Sequence, residues 1–173
     1  MPEVTRSLGI ETMAIVPYFY YPAAVGEQYA RQMESFFGCQ AFSWQGFHHE
    51  ESGIEFAEFR TQYRAYLENI RKFEVYDFPY MVLSEAEYQT WFEDPTGAVG
   101  DPHCTNVEKL VDIQPNGAVN FCVDFPDYSF GNVRQASIAE LWVSDRARRF
   151  RDHRANQPLA VCHRCGAKFM SEM

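Results

Sequence analysis

From Val25 to Phe37 the apolar positions Val25, Tyr29, Met33, Phe36 and Phe37 recur mostly at three- and four-residue steps, and Gly38 follows. That is the pattern of a helix with one buried face and a glycine stop. Before it, Gly9–Val16 is short, largely apolar and rich in β-branched residues, which predicts a buried strand leading through Pro17 and Tyr18-Phe-Tyr-Tyr21 into the helix. Residues 39–53 have no period and read as a loop partly packed by Phe42, Trp44 and Phe47. Ile54–Ile70 predicts a second helix with Phe56, Phe59, Tyr63, Tyr66, Leu67 and Ile70 on one face, and Phe73–Leu83 is strand-like. Ser84 with Glu87 fits a capping box opening a short helix Glu85–Phe92, which Asp94-Pro-Thr-Gly97 closes.

Proline, glycine and aspartate continue to Pro102, and beyond it the pattern changes, so the chain divides at residues 1–102 and 103–173. Leu110–Ile113 and Ala118–Val123 predict two strands joined by a tight Asn116-Gly117 turn. Ser137 with Glu140 is a second capping box, and Ile138, Leu141, Trp142, Val143 and Phe150 carry one helix towards Asn156. Cys162-His-Arg-Cys165 follows almost at once.

Composition narrows the functional classes. At 173 residues the chain has room for about one domain-sized core, and 46% hydrophobic with 16% aromatic residues suffices to build it. The net charge is −9; residues 1–135 hold 8 Lys+Arg against 20 Asp+Glu, whereas residues 136–173 hold 7 against 4. So small a basic surplus on an acidic chain argues against nucleic acid as a partner. Apolar runs such as Met13–Val16 fall far short of the ~20 residues that span a bilayer. The start MPEVTRSLG has neither a basic patch nor an apolar h-region. These features predict a soluble, cytoplasmic protein with no membrane partner.

Four of the five cysteines lie after residue 100: Cys104, Cys122, Cys162 and Cys165. In a reducing compartment such a set reads as metal ligation before disulfides. A two-residue gap lets both sulfurs of a tight turn point at one centre, and a loop and a hairpin strand could complete four thiolates. Four thiolates suit tetrahedral zinc or an iron–sulfur cluster. Only one close pair is present, which departs from the two CxxC knuckles of zinc ribbons, yet a zinc-stabilised binding module without redox role remains the alternative.

The order Cys104, twelve residues, Gly117, four residues, Cys122, then Phe130-Gly-Asn-Val133, Ser-Ile-Ala-Glu-Leu-Trp142, Arg149-Phe-Arg151 and Cys162-x-x-Cys165 resembles the SPASM/twitch auxiliary-cluster domain of radical SAM enzymes, over about residues 103–169. The resemblance implies that Cys104, Cys122, Cys162 and Cys165 bind one auxiliary 4Fe-4S cluster. The full SPASM form carries further cysteines after the CxxC, and none follows Cys165, so the one-cluster form or a shortened chain is expected. It also implies an α/β (α+β) fold, a partial (βα) barrel end followed by a β-hairpin plus helix domain, with Gly9–Tyr20 and Phe73–Leu83 as barrel strands.

Radical SAM chemistry needs a CxxxCxxC run, and Cys39 is the only cysteine before Cys104. The resemblance therefore implies that the catalytic cluster and S-adenosylmethionine belong to a missing N-terminal barrel portion or a partner subunit, and that this chain is not active alone. The relatives' commonest task, peptide or protein modification, makes a peptide or protein the expected substrate. The auxiliary cluster would serve electron relay or substrate positioning.

Other polar residues read more plainly. Cys39, close to Phe36 and Phe37, is a small buried hydrophobe, and His48-His49-Glu50-Glu51 is a solvated loop. His103 and His163 flank the cysteine set and could replace a sulfur ligand, though outer hydrogen-bond donation is expected, and Arg146–Arg154 is mostly a solvated helix face from which one or two arginines could approach cluster sulfurs. Asp124 is the one candidate acid–base group. Some peptide-modifying relatives keep an acid directly after the corresponding cysteine, but here Val123 intervenes and a surface role is expected.

Overall fold

In the computed structural model, residues 2–10, 12–13, 19–70, 76–77, 83–101 and 103–165 are described. A helix α1 (Pro2–Ser7), unannounced by the hydrophobic pattern, precedes strand β1 (Thr12–Met13). Helix α2 (Ala23–Phe37) forms where the spacing places it, with Val25, Tyr29, Met33 and Phe37 buried. Gly38 ends it at φ 66°, returning its N–H to Glu34 O, a left-handed cap that glycine adopts without a Cβ penalty. Gly26 is needed for another reason. A Cβ there would stand 2.0 Å from Trp44 Cε3, so the indole lies directly on the helix backbone.

Helices α3 (Phe56–Ile70) and α4 (Glu85–Glu93) follow, with strand β2 (Tyr76–Asp77) between them. The predicted capping box is formed: Ser84 Oγ accepts from Glu87 N at 3.3 Å and Glu87 Oε2 accepts from Ser84 N at 2.8 Å. Phe59 packs on Tyr88 and Phe92, with centroids 5.3 and 4.4 Å apart, and Trp91 is fully buried with Phe56, Phe92 and Val99. Strand β1 pairs parallel with β2, Thr12 beside Tyr76. Most of the strands expected over Gly9–Tyr20 and Phe73–Leu83 lies outside the described residues.

In the second half, α5 (Asn106–Lys109) leads into an antiparallel sheet β3 (Asp112–Ile113), β4 (Ala118–Asn120) and β5 (Gly131–Asn132), with Val119 opposite both Ile113 and Gly131. The Asn116-Gly117 turn is present, with Gly117 at φ 86°. Strand β4 stops short of the expected Val123 because Asn120 Oδ1 accepts the Cys122 N–H at 3.2 Å and draws the backbone out of the ladder. The single helix expected from Ser137 to Asn156 is two: α6 (Ile138–Trp142), opened by the Ser137–Glu140 capping box, and α7 (Asp145–Asn156). Ser144 makes the break. Its Oγ accepts from Ala147 N at 3.2 Å and donates to Leu141 O at 2.7 Å, ending one helix and capping the next.

The architecture is thus α+β. The main core runs across residue 102: Tyr21, Val25, Tyr29, Met33, Phe37 and Ala41 pack with Val107, Val119, Phe121, Phe125, Tyr128, Phe130, Phe150 and Val161. Asp127 fastens the halves together, accepting from the Tyr29 hydroxyl at 2.8 Å and from the Phe42 and Ser43 amides at 3.0 and 3.1 Å. No described helix is long and apolar enough to cross a membrane.

Arg146, Arg148 and Arg149 are exposed, as expected of a mostly solvated face, yet several arginines of the Arg146–Arg154 run also make specific contacts. Arg146 donates to Ser129 O at 2.9 Å and covers Tyr128, Arg149 reaches Phe36 O, and Arg151 donates to Trp142 O at 2.9 Å while lying 4.6 Å over its ring. Each cation is held where a carbonyl and an aromatic face coincide, a placement that local charge pattern does not reveal.

Candidate metal centre

Cys104 lies in the loop before α5, Cys122 just beyond β4, and Cys162 and Cys165 on a 3-10 turn (Ala160–Arg164). These segments are separated by up to some sixty residues of chain, yet all four cysteines line a single cavity of about 210 Å³. Its remaining wall is mostly apolar, including Val107, Phe121, Phe125 and Phe150, with Asp112 and Arg154 among its few polar contributors. Val123, 59% exposed, stands at its edge. Cys39 is elsewhere: its thiol approaches Met33 O at 3.8 Å and packs against the main core, so it behaves as a small apolar residue.

The turn that carries the CxxC pair is held from three sides. Tyr21 donates to Val161 O at 2.9 Å, Gln32 Oε1 accepts from Ala160 N at 2.7 Å, and Val99 N donates to His163 O at 2.9 Å. Cys122 is set by Asn120, and its sulfur accepts a hydrogen bond from the Phe125 N–H. Burial pushes the Cys122 thiol well above its ordinary value, and the neighbouring Cys165 and Cys162 push it further, as does Asp124. Tyr21 is raised likewise, by burial and then by Cys165, Cys162 and Cys122. Three of the sulfurs are therefore close enough to oppose one another's ionisation. A cation among them would reverse that, since metal ligation holds a thiol deprotonated outright.

Several observations bear on whether a metal group fits. A water needs about 10–15 Å³, so the cavity exceeds an ion-sized vacancy many times over. Among the described residues no three His, Cys, Asp or Glu side chains converge as on a single ion. The four cysteines are brought together as part of the lining of this larger cavity. Thr105 Oγ1, next to Cys104, is buried with no hydrogen-bond partner among the described residues. Arg154, 7% exposed, brings a cation to the cavity wall, which suits a site that would collect four thiolates. The donor set and its surroundings fit an iron–sulfur group.

The other candidates are placed as follows. Asp124 is half-buried, its carboxyl pushed up from 3.8 by burial, and it is not among the cavity-lining residues. His103 and His163 are not among them either. His48 Nε2 meets Glu50 Oε1 at 2.9 Å, and the same oxygen accepts from Ala23 N at 3.2 Å, so this polar stretch anchors the start of α2. Arg154 at the cavity wall is one of the arginines the sequence allowed near the sulfurs, whereas sequence reasoning missed Tyr29 in the cavity wall and Tyr21 beside the cysteines. No local pattern distinguishes these two from other core aromatics.

No curated protein and no solved structure matches the chain. Residues 104–166 match the family model of SPASM, an iron–sulfur cluster-binding domain, and the match spans the cysteine set from its first member to just past its last.

Proposed function

We propose that Cys104, Cys122, Cys162 and Cys165 hold one auxiliary 4Fe-4S cluster, and that the chain is the cluster-bearing C-terminal part of a radical SAM enzyme acting on a peptide or protein. The observation that carries this reading is the meeting of all four cysteines, without Cys39, at one cavity within the matched domain. When bound, the cluster supplies one-electron chemistry, as relay for a substrate radical or as a positioning group. The chain's residues give the thiolates, exclude water through the apolar wall, present the Phe125 N–H to the Cys122 sulfur and place Arg154 alongside. The parallel pairing of β1 and β2 is consistent with a barrel end over residues 1–102, ahead of the cluster unit at 103–173. On this reading the CxxxCxxC cluster and S-adenosylmethionine reside in another polypeptide portion or subunit.

Anaerobic reconstitution with iron and sulfide tests it. The loaded chain is expected to be brown, with about four iron and four sulfide per chain as one 4Fe-4S cluster requires. Reduced and given S-adenosylmethionine, it should form no 5′-deoxyadenosine above a no-protein control. A colourless chain carrying one stoichiometric zinc would instead establish the zinc-stabilised module.

A further inference from the structure

Between the two CxxC cysteines in sequence stands Arg164, a residue with no place in metal ligation, whose side chain reaches four backbone carbonyls. It is 1% exposed. Its guanidinium leaves the cavity side and enters the other half of the molecule, where Nη1 donates to Asp94 O at 2.7 Å and reaches Gly97 O at 3.3 Å and Thr90 O at 3.5 Å. Nη2 donates to Trp91 O. The guanidinium carbon lies 4.7 Å over the Trp91 ring and 5.2 Å over Tyr20. Thr90 and Trp91 are in the last turn of α4 and Asp94 is its C-cap, where the helix dipole favours a cation; Thr90 O also accepts the Asp94 N–H, and Trp91 O the Tyr20 hydroxyl. Arg164 therefore caps a helix more than seventy residues away in sequence. The backbone adds to the connection, through the Val99 N–H on His163 O.

We propose that Arg164 is a positioning residue that locks the Cys162–Cys165 turn onto the end of α4, so that filling the metal cavity and ordering residues 84–101 are coupled. The inference rests on reading the cavity as a metal centre. The turn has only two residues between its sulfurs, so a shift of Cys162 or Cys165 towards a metal must move Arg164, and with it the carbonyls that Arg164 holds. A fork of donors aimed at several fixed carbonyls transmits such a shift; a lysine, with one ammonium, can follow one carbonyl and release the rest. By linkage the coupling is reciprocal: whatever loosens α4 weakens metal retention by the same factor.

The test compares the full wild-type chain with Arg164→Lys and Arg164→Met, each before and after anaerobic loading with iron and sulfide. Amide hydrogen exchange is followed over residues 84–101 and iron loss to a chelator is measured in parallel. Loading is expected to slow exchange over 84–101 in the wild type by about tenfold, within the usual range of coupling between sites. Arg164→Lys should retain wild-type iron content while losing most of that slowing, and should release iron to the chelator faster by a similar factor. Equal slowing in the wild type and Arg164→Lys, or no slowing in a fully loaded wild type, overturns the proposal. If the wild type takes up no iron and sulfide, the reading of the cavity fails instead, and the lock is judged on the unloaded chains. Faster exchange over 84–101 in both variants, with α7 unchanged, then upholds it, and equal exchange overturns it. A variant that loads no metal is judged in the same way.

Discussion

The Cys162–Cys165 turn has two opposite sides, and each faces a different kind of interior. On one, Arg164 enters a region that side chains close completely: Trp91 fully buried, Phe56, Phe92 and Val99 around it, Phe59, Tyr63 and Tyr88 stacked outside. On the other, Cys162 and Cys165 face a cavity of about 210 Å³ that Cys104 and Cys122 also line. The first is self-sufficient packing, dense enough that removing any ring leaves a hole. The second is a shell in which burial and the neighbouring Cys165 and Cys162 oppose ionisation of the Cys122 thiol, a poor arrangement until a metal group stands beside it. One region folds on contacts; the other, on the proposed function, is completed by ligation.

Metal removal should break this contrast most severely. Stripping the metal, or replacing Cys104, Cys122, Cys162 or Cys165 by Ala, is expected to cost at least ~5 kcal/mol, a fraction of the ~10–16 kcal/mol that structural zinc contributes in small domains. Cys39→Ala should retain full iron content and cost only ~1 kcal/mol. Iron assay and denaturant unfolding of the five variants check this, and iron loss in Cys39→Ala comparable to the others would contradict the assigned ligand set.

Truncation in the closed region should act in the other way. Trp91→Ala removes a fully buried ring and the face on which Arg164 rests, and is expected to cost ~3–5 kcal/mol whether or not metal is present. The unfolding free energy of the unloaded variant, compared with the unloaded wild type, measures it; a loss seen only in the loaded chain would mean that this region too depends on metal. A smaller effect comes from overfilling. Gly26→Ala would set a methyl 2.0 Å from the Trp44 ring. It should cost ~1–3 kcal/mol through displacement of that indole, read as a drop in unfolding midpoint together with a change in tryptophan fluorescence.

What the sequence discloses follows the same division between local and distant causes. The Ser84 and Ser137 capping boxes, the Gly38 stop, the Asn116-Gly117 turn and the CxxC pair are decided by residues within a few positions of one another, and the structure has each. Ser144 was equally local, a cap followed by Asp145, but Val143 and Phe150 continue the apolar pattern across it and mask the break. The grouping of four cysteines at one cavity came from family order, not from periodicity. Arg164 and Asp127 were illegible for a physical reason: their partners lie some seventy to a hundred residues away, and nothing near either residue signals that its charge is turned inward.

The smallest predicted effect concerns His153, at the edge of the main core. Its ring lies 4.2 Å from Phe36 and 5.1 Å from Phe37, and Nε2 is buried with no partner among the described residues. Burial lowers its pKa below 6.5, and the guanidinium groups of Arg154 and Arg149 lower it further. Because the folded value is depressed, the unfolded chain binds the proton more readily. This contribution to stability is therefore fully present above about pH 6.5 and is lost as the pH falls through the folded value. His153→Leu removes the titration and keeps an apolar side chain against the phenylalanines. Urea unfolding of the unloaded chains at pH 7.5 and 5.5 should show a smaller acid loss in the variant than in the wild type. Equal losses would mean that His153 is protonated as easily in the folded chain as in the unfolded one, and that the aromatic wall beside α7 is open to water.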